Sequence, residues 1–182
     1  MGLFKRKKKV EPEEIAEILA RHALDPSYRQ DAMNAVNISE QTKKKVQVPL
    51  LALQWYASYL TIVGLSPKLS RRNSEELSRQ LGRMYVSRYS DLLEEAFPGI
   101  TPDKKIDILQ KTQDHRSSYD QFVQSGLSMQ LGGAIHSEKV GKRFANLSEA
   151  DDSEFSQVRE LGTRLFQSCM EACVRDLSDL KV

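Results

Sequence analysis

Apolar residues recur at three- and four-residue intervals along most of the chain, as they do on one face of an amphipathic helix. The pattern predicts a first helix over about residues 12–23 and a short second helix over about residues 25–36. Both begin at a proline, which fits the first turn of a helix because the amide hydrogen it lacks would have no partner there. A third helix is expected to begin at Asn37, with Glu40 completing a capping box.

The predicted third helix is followed by an uncharged stretch that extends from Val46 to Pro67. Pro49 predicts a kink or break near its start, after which an apolar helix should continue to about Gly64. The stretch is long enough to cross a bilayer. However, it is interrupted by Gln47, Gln54, Ser58 and Thr61 and has cations on both flanks, so we interpret it as a helix buried inside a bundle.

Two further helices are separated by a stop signal at Phe97-Pro98-Gly99 and a start signal at Thr101-Pro102-Asp103. The inner face of the helix before the stop is predicted to hold Leu77, Leu81, Met84, Tyr85 and Leu92, and Ile106 and Leu109 continue the periodicity after it. Beyond Pro102 the chain has no proline, which favours long helices. The last, over about residues 151–180, carries an apolar stripe of Val158, Leu161, Leu165, Cys169, Ala172, Cys173, Leu177 and Leu180.

No segment shows the sustained two-residue alternation of a half-buried strand. The sequence therefore predicts an all-α protein, a single helical bundle of about six or seven helices with a long C-terminal helix. We expect residues 1–10 to form a disordered basic tail and residues 11–182 to form a single helical domain.

Positive charge is concentrated at the start of the chain. The whole chain carries +2, and the tail contributes five of its cations, so residues 10–182 carry a net charge of −3. An acidic body opposes a broad nucleic-acid surface, which needs clustered positive charge. The tail itself, beside the apolar Leu3 and Phe4, is a candidate binding segment for an anionic membrane or another polyanion through Lys5, Arg6, Lys7, Lys8 and Lys9.

The residues that most often carry catalysis or bind metals do not form a recognisable motif. Cys169 and Cys173 lie four apart on the apolar stripe, without the further ligands that a zinc site needs, so we expect them to pack in the core. The three histidines fall in different predicted helices. There is no P-loop, dinucleotide-binding glycine motif or serine nucleophile elbow. We accordingly predict no catalytic residue, cofactor or metal.

One polar stretch, residues 113–120, has a second interpretation. His115 lies one helical turn before Tyr119, and with Asp114 these side chains would form a titratable cluster if they faced inward. That would give a ligand-binding or catalytic pocket near His115 and Tyr119. In the other interpretation Asp114, Arg116 and Ser117 face solvent and Tyr119 packs against Phe122.

These patterns favour a non-enzymatic helical interaction or regulatory protein, held close to membranes by its basic tail. The alternative is a helical ligand-binding or catalytic domain, and a nucleic-acid adaptor is a third hypothesis. We expect a protein partner, and the sequence leaves open whether the chain also forms homo-oligomers. Two cysteines and no signal peptide favour a reducing compartment, so we expect a cytoplasmic location, peripheral at the membrane if the tail binds there.

The tail generates the first testable prediction. The full chain should bind vesicles that contain anionic lipid, and deleting residues 1–9 should abolish binding without lowering the melting temperature. Five cations supply at most about 5 kcal/mol, so attachment should be reversible and should weaken as salt rises. Co-sedimentation with anionic and with neutral vesicles measures the binding of both chains, and a parallel assay with duplex DNA compares the two polyanions. Equal behaviour of the full-length and truncated chains would show that the tail has no such role.

Overall fold

The computed structural model describes residues 11–65, 71–120 and 134–178. The predicted tail, residues 1–10, lies outside this range, as do Phe122, Leu180 and the Gly132-Gly133 pair, which predicts an interruption between helices. The described residues form α1 (Pro12–Leu24), α2 (Pro26–Asn34), α3 (Glu40–Lys45), α4 (Gln47–Leu65), α5 (Arg71–Ala96), α6 (Pro102–Ser117), α7 (Ala134–Leu147) and α8 (Phe155–Ser178).

The fold is an all-α bundle. About 85% of the described residues are helical, and none of them lies in a strand. The last described helix, α8, is 24 residues long. The predicted fold class is therefore confirmed.

Local start signals position the first helices as expected. Proline stands in the first turn of α1, α2 and α6. Asp25 caps α2 by accepting a hydrogen bond from the backbone N–H of Ser27 at 2.8 Å. The apolar face of α1 is buried, including Ile15 and Leu19.

The third helix begins later than its sequence pattern suggested. Ser39, rather than Asn37, is the N-cap of α3, and its hydroxyl accepts from the backbone N–H of Thr42 at 3.2 Å. Glu154, just before α8, accepts hydrogen bonds from Ser39 and Thr42. The bond from Thr42 is the main cause that lowers the pKa of the Glu154 carboxyl. A contact from far along the chain therefore reinforces this start.

The expected break near Pro49 falls at Val46, which separates α3 from α4. Pro49 itself is the third residue of α4. The amide groups of the first helical turn have no intrahelical acceptor, so proline costs little at that position. The break and the proline thus belong to one helix junction.

The uncharged helix α4 is the centre of the bundle, and it packs against α1, α5, α6 and α8. Leu50, Leu53 and Tyr56 are fully buried, and Trp55 is 8% exposed. In the part of the chain that the structure describes, no helix combines the length and the apolar character needed to cross a membrane. Burial of the uncharged stretch, as predicted, is confirmed.

Buried polar side chains of α4 donate hydrogen bonds to backbone carbonyl groups, either of the α1 segment or of α4 itself. Gln54 is fully buried and donates to the carbonyl oxygen of Asp25 at 2.8 Å. Ser58 donates to Leu19 O at 3.0 Å, and Thr61 donates to Ala57 O at 3.0 Å. Since each of these polar groups has a partner, its burial costs little.

Apolar residues form two clusters on opposite sides of α4. On one side Tyr56 packs with Tyr119 of the α6 end, Phe144 of α7 and Phe166 of α8. On the other side Trp55 packs in a cluster with residues of α1 and α5, among them Leu19 and Leu77. The central helix is therefore buried by packing on both sides.

Two predicted inward positions are wrong. Leu92 is 38% exposed and Ile106 is 63% exposed. Leu93 is buried in place of Leu92. Residues four apart lie on nearly the same face of a helix, and the buried face of α5 continues from Tyr85 through Tyr89 to Leu93. The predicted positions Leu77, Leu81 and Tyr85 are buried, so on α5 the error is confined to the end of the stripe.

The ends of α7 and α8 also differ from the predicted boundaries. The sequence pattern predicts a loop at about residues 145–148, but α7 continues to Leu147, and α8 begins at Phe155 rather than at Asp151. A turn precedes α8, in which Glu154 N–H bonds to Asp151 O at 2.9 Å. The apolar stripe of α8 is buried as predicted from Val158 to Leu177.

Two glycines allow α7 and α8 to approach closely. A Cβ added at Gly162 would lie 2.5 Å from Cδ1 of Phe144, whose side chain is fully buried. A Cβ at Gly141 would lie 2.6 Å from the carbonyl oxygen of Arg159. Gly82, inside α5, is different because a Cβ there meets nothing within 4 Å.

Alanine at these positions should therefore have opposite effects on stability. Gly162→Ala should lower the free energy of unfolding by about 1–3 kcal/mol, since the core around Phe144 has no room for the methyl group. Gly82→Ala should raise it by about 0.5–1 kcal/mol, because alanine restricts the unfolded chain and favours the helix. Chemical denaturation of both variants measures this, and a Gly162→Ala protein as stable as its parent would contradict the close α7–α8 packing.

Candidate functional site

A groove of about 670 Å³ opens between α5 and α6, above α4. The two helices meet at the Phe97–Thr101 connection, and the groove lies toward their other ends. α5 contributes a stripe of residues from Ser78 to Ser87 that repeats at helical spacing. α4 forms the floor, and Gln113 and Arg116 of α6 form the opposite wall.

The floor of the groove is aromatic. The ring of Trp55 stacks on that of Tyr85, with centroids 4.2 Å apart and planes inclined by 13°. Tyr85 is fully buried, and its hydroxyl donates to Leu51 O at 3.3 Å. Burial raises the pKa of Tyr85 well above its usual value, so the hydroxyl stays protonated. Tyr59 lies one turn after Trp55 on α4 and completes the floor.

Arg116 lies across this floor. Its guanidinium carbon is 5.0 Å from the ring centroid of Tyr59 and 5.5 Å from that of Trp55, a cation–π arrangement. Only 13% of the side chain is exposed. Its terminal nitrogens donate to Asp120 at 3.4 Å, and Nη2 also donates to Ser117 Oγ at 3.3 Å, whereas the buried Nε has no hydrogen-bond partner among the described residues. The aromatic rings therefore hold a cation whose hydrogen bonds are incompletely satisfied.

Two more arginines stand on the α5 side of the groove. Arg79 donates to Glu76 at 3.0 Å, and this bond is the main cause that lowers the pKa of the Glu76 carboxyl. Arg83, one turn further along α5, is exposed and makes no salt bridge within the described residues. Together with Arg116, these residues place three guanidinium groups around one groove.

The chemistry of the lining favours binding of an anion. Its described residues include three arginines, apolar and aromatic side chains, two serines and one glutamine, and no Asp, Glu, His, Cys or Lys. Arginine stays charged at any accessible pH, so it cannot exchange protons near neutrality. Planar guanidinium groups do bind carboxylates and phosphates in well-defined orientations.

The three residues predicted to form a pocket on α6 have different environments. Asp114 is exposed and accepts from Gln110 Nε2 at 2.8 Å. Tyr119 is fully buried, and its ring stacks on Tyr56 with centroids 5.0 Å apart. His115 is half-buried, and desolvation is the main cause that lowers its pKa. None of the three lines the groove, to which Gln113 and Arg116 of the same stretch contribute instead.

Arg116 is the residue that sequence reasoning placed wrongly, since it was expected to face solvent. In the sequence, Trp55 and Tyr59 lie four apart in the uncharged stretch, and Arg116 belongs to the polar stretch of residues 113–120. Nothing local indicates that the two segments meet. The predicted binding cations, Lys5, Arg6, Lys7, Lys8 and Lys9, lie outside the described residues, so the structure does not relate them to the groove.

A second polar cluster joins α1, α2 and α8. His22 is 5% exposed, with Nδ1 2.8 Å from the Tyr28 hydroxyl and Nε2 3.0 Å from Oδ2 of Asp176. The order carboxylate–imidazole–hydroxyl is that of a catalytic triad. However, burial is the main cause that raises the pKa of Tyr28 to about 12, which opposes its use as a nucleophile. The cluster fixes three helices to one another.

The cysteines belong to the core, as predicted. Cys169 and Cys173 are free and fully buried. Burial is the main cause that raises the pKa of Cys173 to about 11, and it raises that of Cys169 as well. Within the described residues, no three side chains of His, Cys, Asp or Glu come together in a way that could hold a metal ion.

Comparison with known proteins gives no relative from which a role could be carried over, since the chain matches no protein-family model, no curated protein and no solved structure. The function has to be argued from the groove itself.

Proposed function

We propose that this protein is a non-enzymatic interaction module that binds a segment of a partner protein in the groove between α5 and α6. The observation that carries the proposal is Arg116, which is held over the rings of Trp55 and Tyr59 and whose Nε has no hydrogen-bond partner among the described residues. A buried cation with unsatisfied donors is costly unless something completes its hydrogen bonds. An anionic group of a partner would add charge-assisted hydrogen bonds to the part of the guanidinium that faces the groove.

The dimensions of the groove also support a segment as the ligand. Its volume of about 670 Å³ is that of a site for a small ligand or a few side chains, and its α5 wall is an elongated stripe. Val86 on this wall is 42% exposed, which leaves apolar surface for a partner to cover. The basic tail, residues 5–9, would bring this module to anionic membranes, as the sequence suggests.

The catalytic alternative near His115 and Tyr119 has less support. Tyr119 is stacked in the core, and His115 does not line the groove. Burial is the main cause that lowers the pKa of His115. Among the described residues that line the groove, none titrates near neutral pH. We therefore keep the binding proposal and do not develop a reaction.

A substitution at Gly82 tests the proposal while the partner is still unidentified. A leucine there should fill the groove while the helix is retained, since its Cβ meets nothing within 4 Å. Peptides selected from a random displayed library against the parent protein should bind the parent and lose about tenfold or more in affinity for Gly82→Leu, a loss of about 1.4 kcal/mol.

Ser156→Leu, which adds the same side chain at an exposed position of α8, is the matched control and should leave binding unchanged. Unfolding curves of both variants should show that each is folded. Selected peptides that bind Gly82→Leu as tightly as the parent, or failure to select any peptide, would refute the groove as the binding surface.

A further inference from the structure

The spacing of the arginines that line the groove indicates what kind of segment binds there. We infer that it selects an acidic helix, whose carboxylates lie one turn apart beside an apolar stripe. This inference rests on the proposed function and names the chemistry of the partner segment. It depends on four features: the α5 stripe, the gap at Gly82, the position of the arginines and the covered faces of Trp55.

The α5 wall has the geometry of a helix-binding surface. Its lining residues extend from Ser78 to Ser87, a rise of roughly 13 Å, or two and a half turns, along the helix axis. Gly82 lies in the middle of this stripe and leaves open space where a side chain would stand. Small residues at the centre of a contact let two helices approach closely, at interaxial distances of about 8 Å. A partner helix can therefore lie along α5, over Gly82.

Charge spacing then selects the residues of that helix. Arg79 and Arg83 are four residues apart, so their Cα atoms are separated by about 6 Å along the axis of α5. Two carboxylates at positions i and i+4 of a partner helix have the same separation. Arg116 faces them from the other wall, oriented by its rings, and can bind a carboxylate through paired N–H groups.

The existing salt bridges do not block such a partner. Arg79 pairs with Glu76 at the surface, where both side chains are in contact with water, and exposed pairs of this kind contribute only about 0–1 kcal/mol. The bonds from Arg116 to Asp120 are long. Arg83 makes no salt bridge within the described residues. New carboxylates would therefore gain contacts with little loss.

The apolar side of the groove defines the rest of the partner. Val86 is substantially exposed, and Leu81 and the edge of Trp55 also contribute to the lining. Leucine-sized residues next to the carboxylates on the partner helix would cover this surface. Helices of this kind recognise grooves through anchors at i, i+3, i+4 and i+7.

The same residues argue against nucleic acid as the ligand. Single-stranded nucleic acid binds through bases stacked on free aromatic faces. Tyr85 covers one face of Trp55 at 4.2 Å, so the guanidinium of Arg116, which lies over the same ring, occupies the other.

Binding of synthetic peptides by fluorescence anisotropy tests this inference. The first probe is a labelled peptide of about 20 residues, long enough to form a helix, with two glutamates four apart beside a stripe of leucines. In the second probe the glutamates stand on the opposite face, and in the third they are replaced by lysines. Labelled single-stranded DNA is the fourth probe.

The parent protein should bind the first peptide at least about tenfold more tightly than the second or third, with an affinity that falls as salt rises. Arg83→Glu should weaken the first peptide by about tenfold and should strengthen the lysine peptide, because the change reverses the sign of one contact. Arg164→Glu, which makes the same change of charge on α8, is the control and should alter neither.

Failure of this inference can be distinguished from failure of the proposed function. Equal affinity for the first three peptides, each blocked by Gly82→Leu, would refute the acidic specificity and leave the groove as a peptide site. Binding that Gly82→Leu does not affect would refute both. Tighter binding of the DNA, lost in Gly82→Leu, would also overturn the inference and assign the groove to nucleic acid.

Discussion

The burial of α4 is the constraint on which the rest of the structure depends. A helix without a charged residue has to be covered, and the bundle covers it with α1, α5, α6 and α8. Its internal polar groups are compatible with this position because Gln54 and Ser58 bond to carbonyl groups in and just after α1. These two bonds also fix α1 against α4, so the same residues that interrupt the apolar sequence specify how one neighbour packs.

Successive residues of α4 then face different neighbours, and this produces the groove. Tyr56 points into the cluster with Tyr119 and Phe166, whereas Trp55 stacks on Tyr85 of α5. Toward the ends of α5 and α6 remote from their connection, no helix of the described residues covers the floor beside Trp55, which forms a groove. Arg116 covers part of it, since a guanidinium can lie on aromatic rings and still present its N–H groups to a ligand. The proposed binding site is thus a consequence of how the central helix is packed.

The sequence was sufficient where local chemistry decides the structure. Proline and Asp25 marked helix starts, and the spacing of apolar residues identified the buried face of α8. It was insufficient where a contact from elsewhere decides. The start of α3 depends on Glu154, and the position of Arg116 depends on rings in another helix. Charge alone predicts exposure for an arginine, and only the tertiary contact with Trp55 and Tyr59 reverses that prediction.

Hydrogen exchange of the α4 backbone amides tests the central role of this helix most directly. If the bundle is built around α4, the amides between Leu53 and Leu60 open only when the whole protein unfolds. Their free energy of opening should then equal the free energy of global unfolding and should decrease with denaturant at the same slope. The account would be contradicted if these amides exchanged through a local opening. The free energy of that opening would be several kcal/mol lower than that of global unfolding and would not change with denaturant.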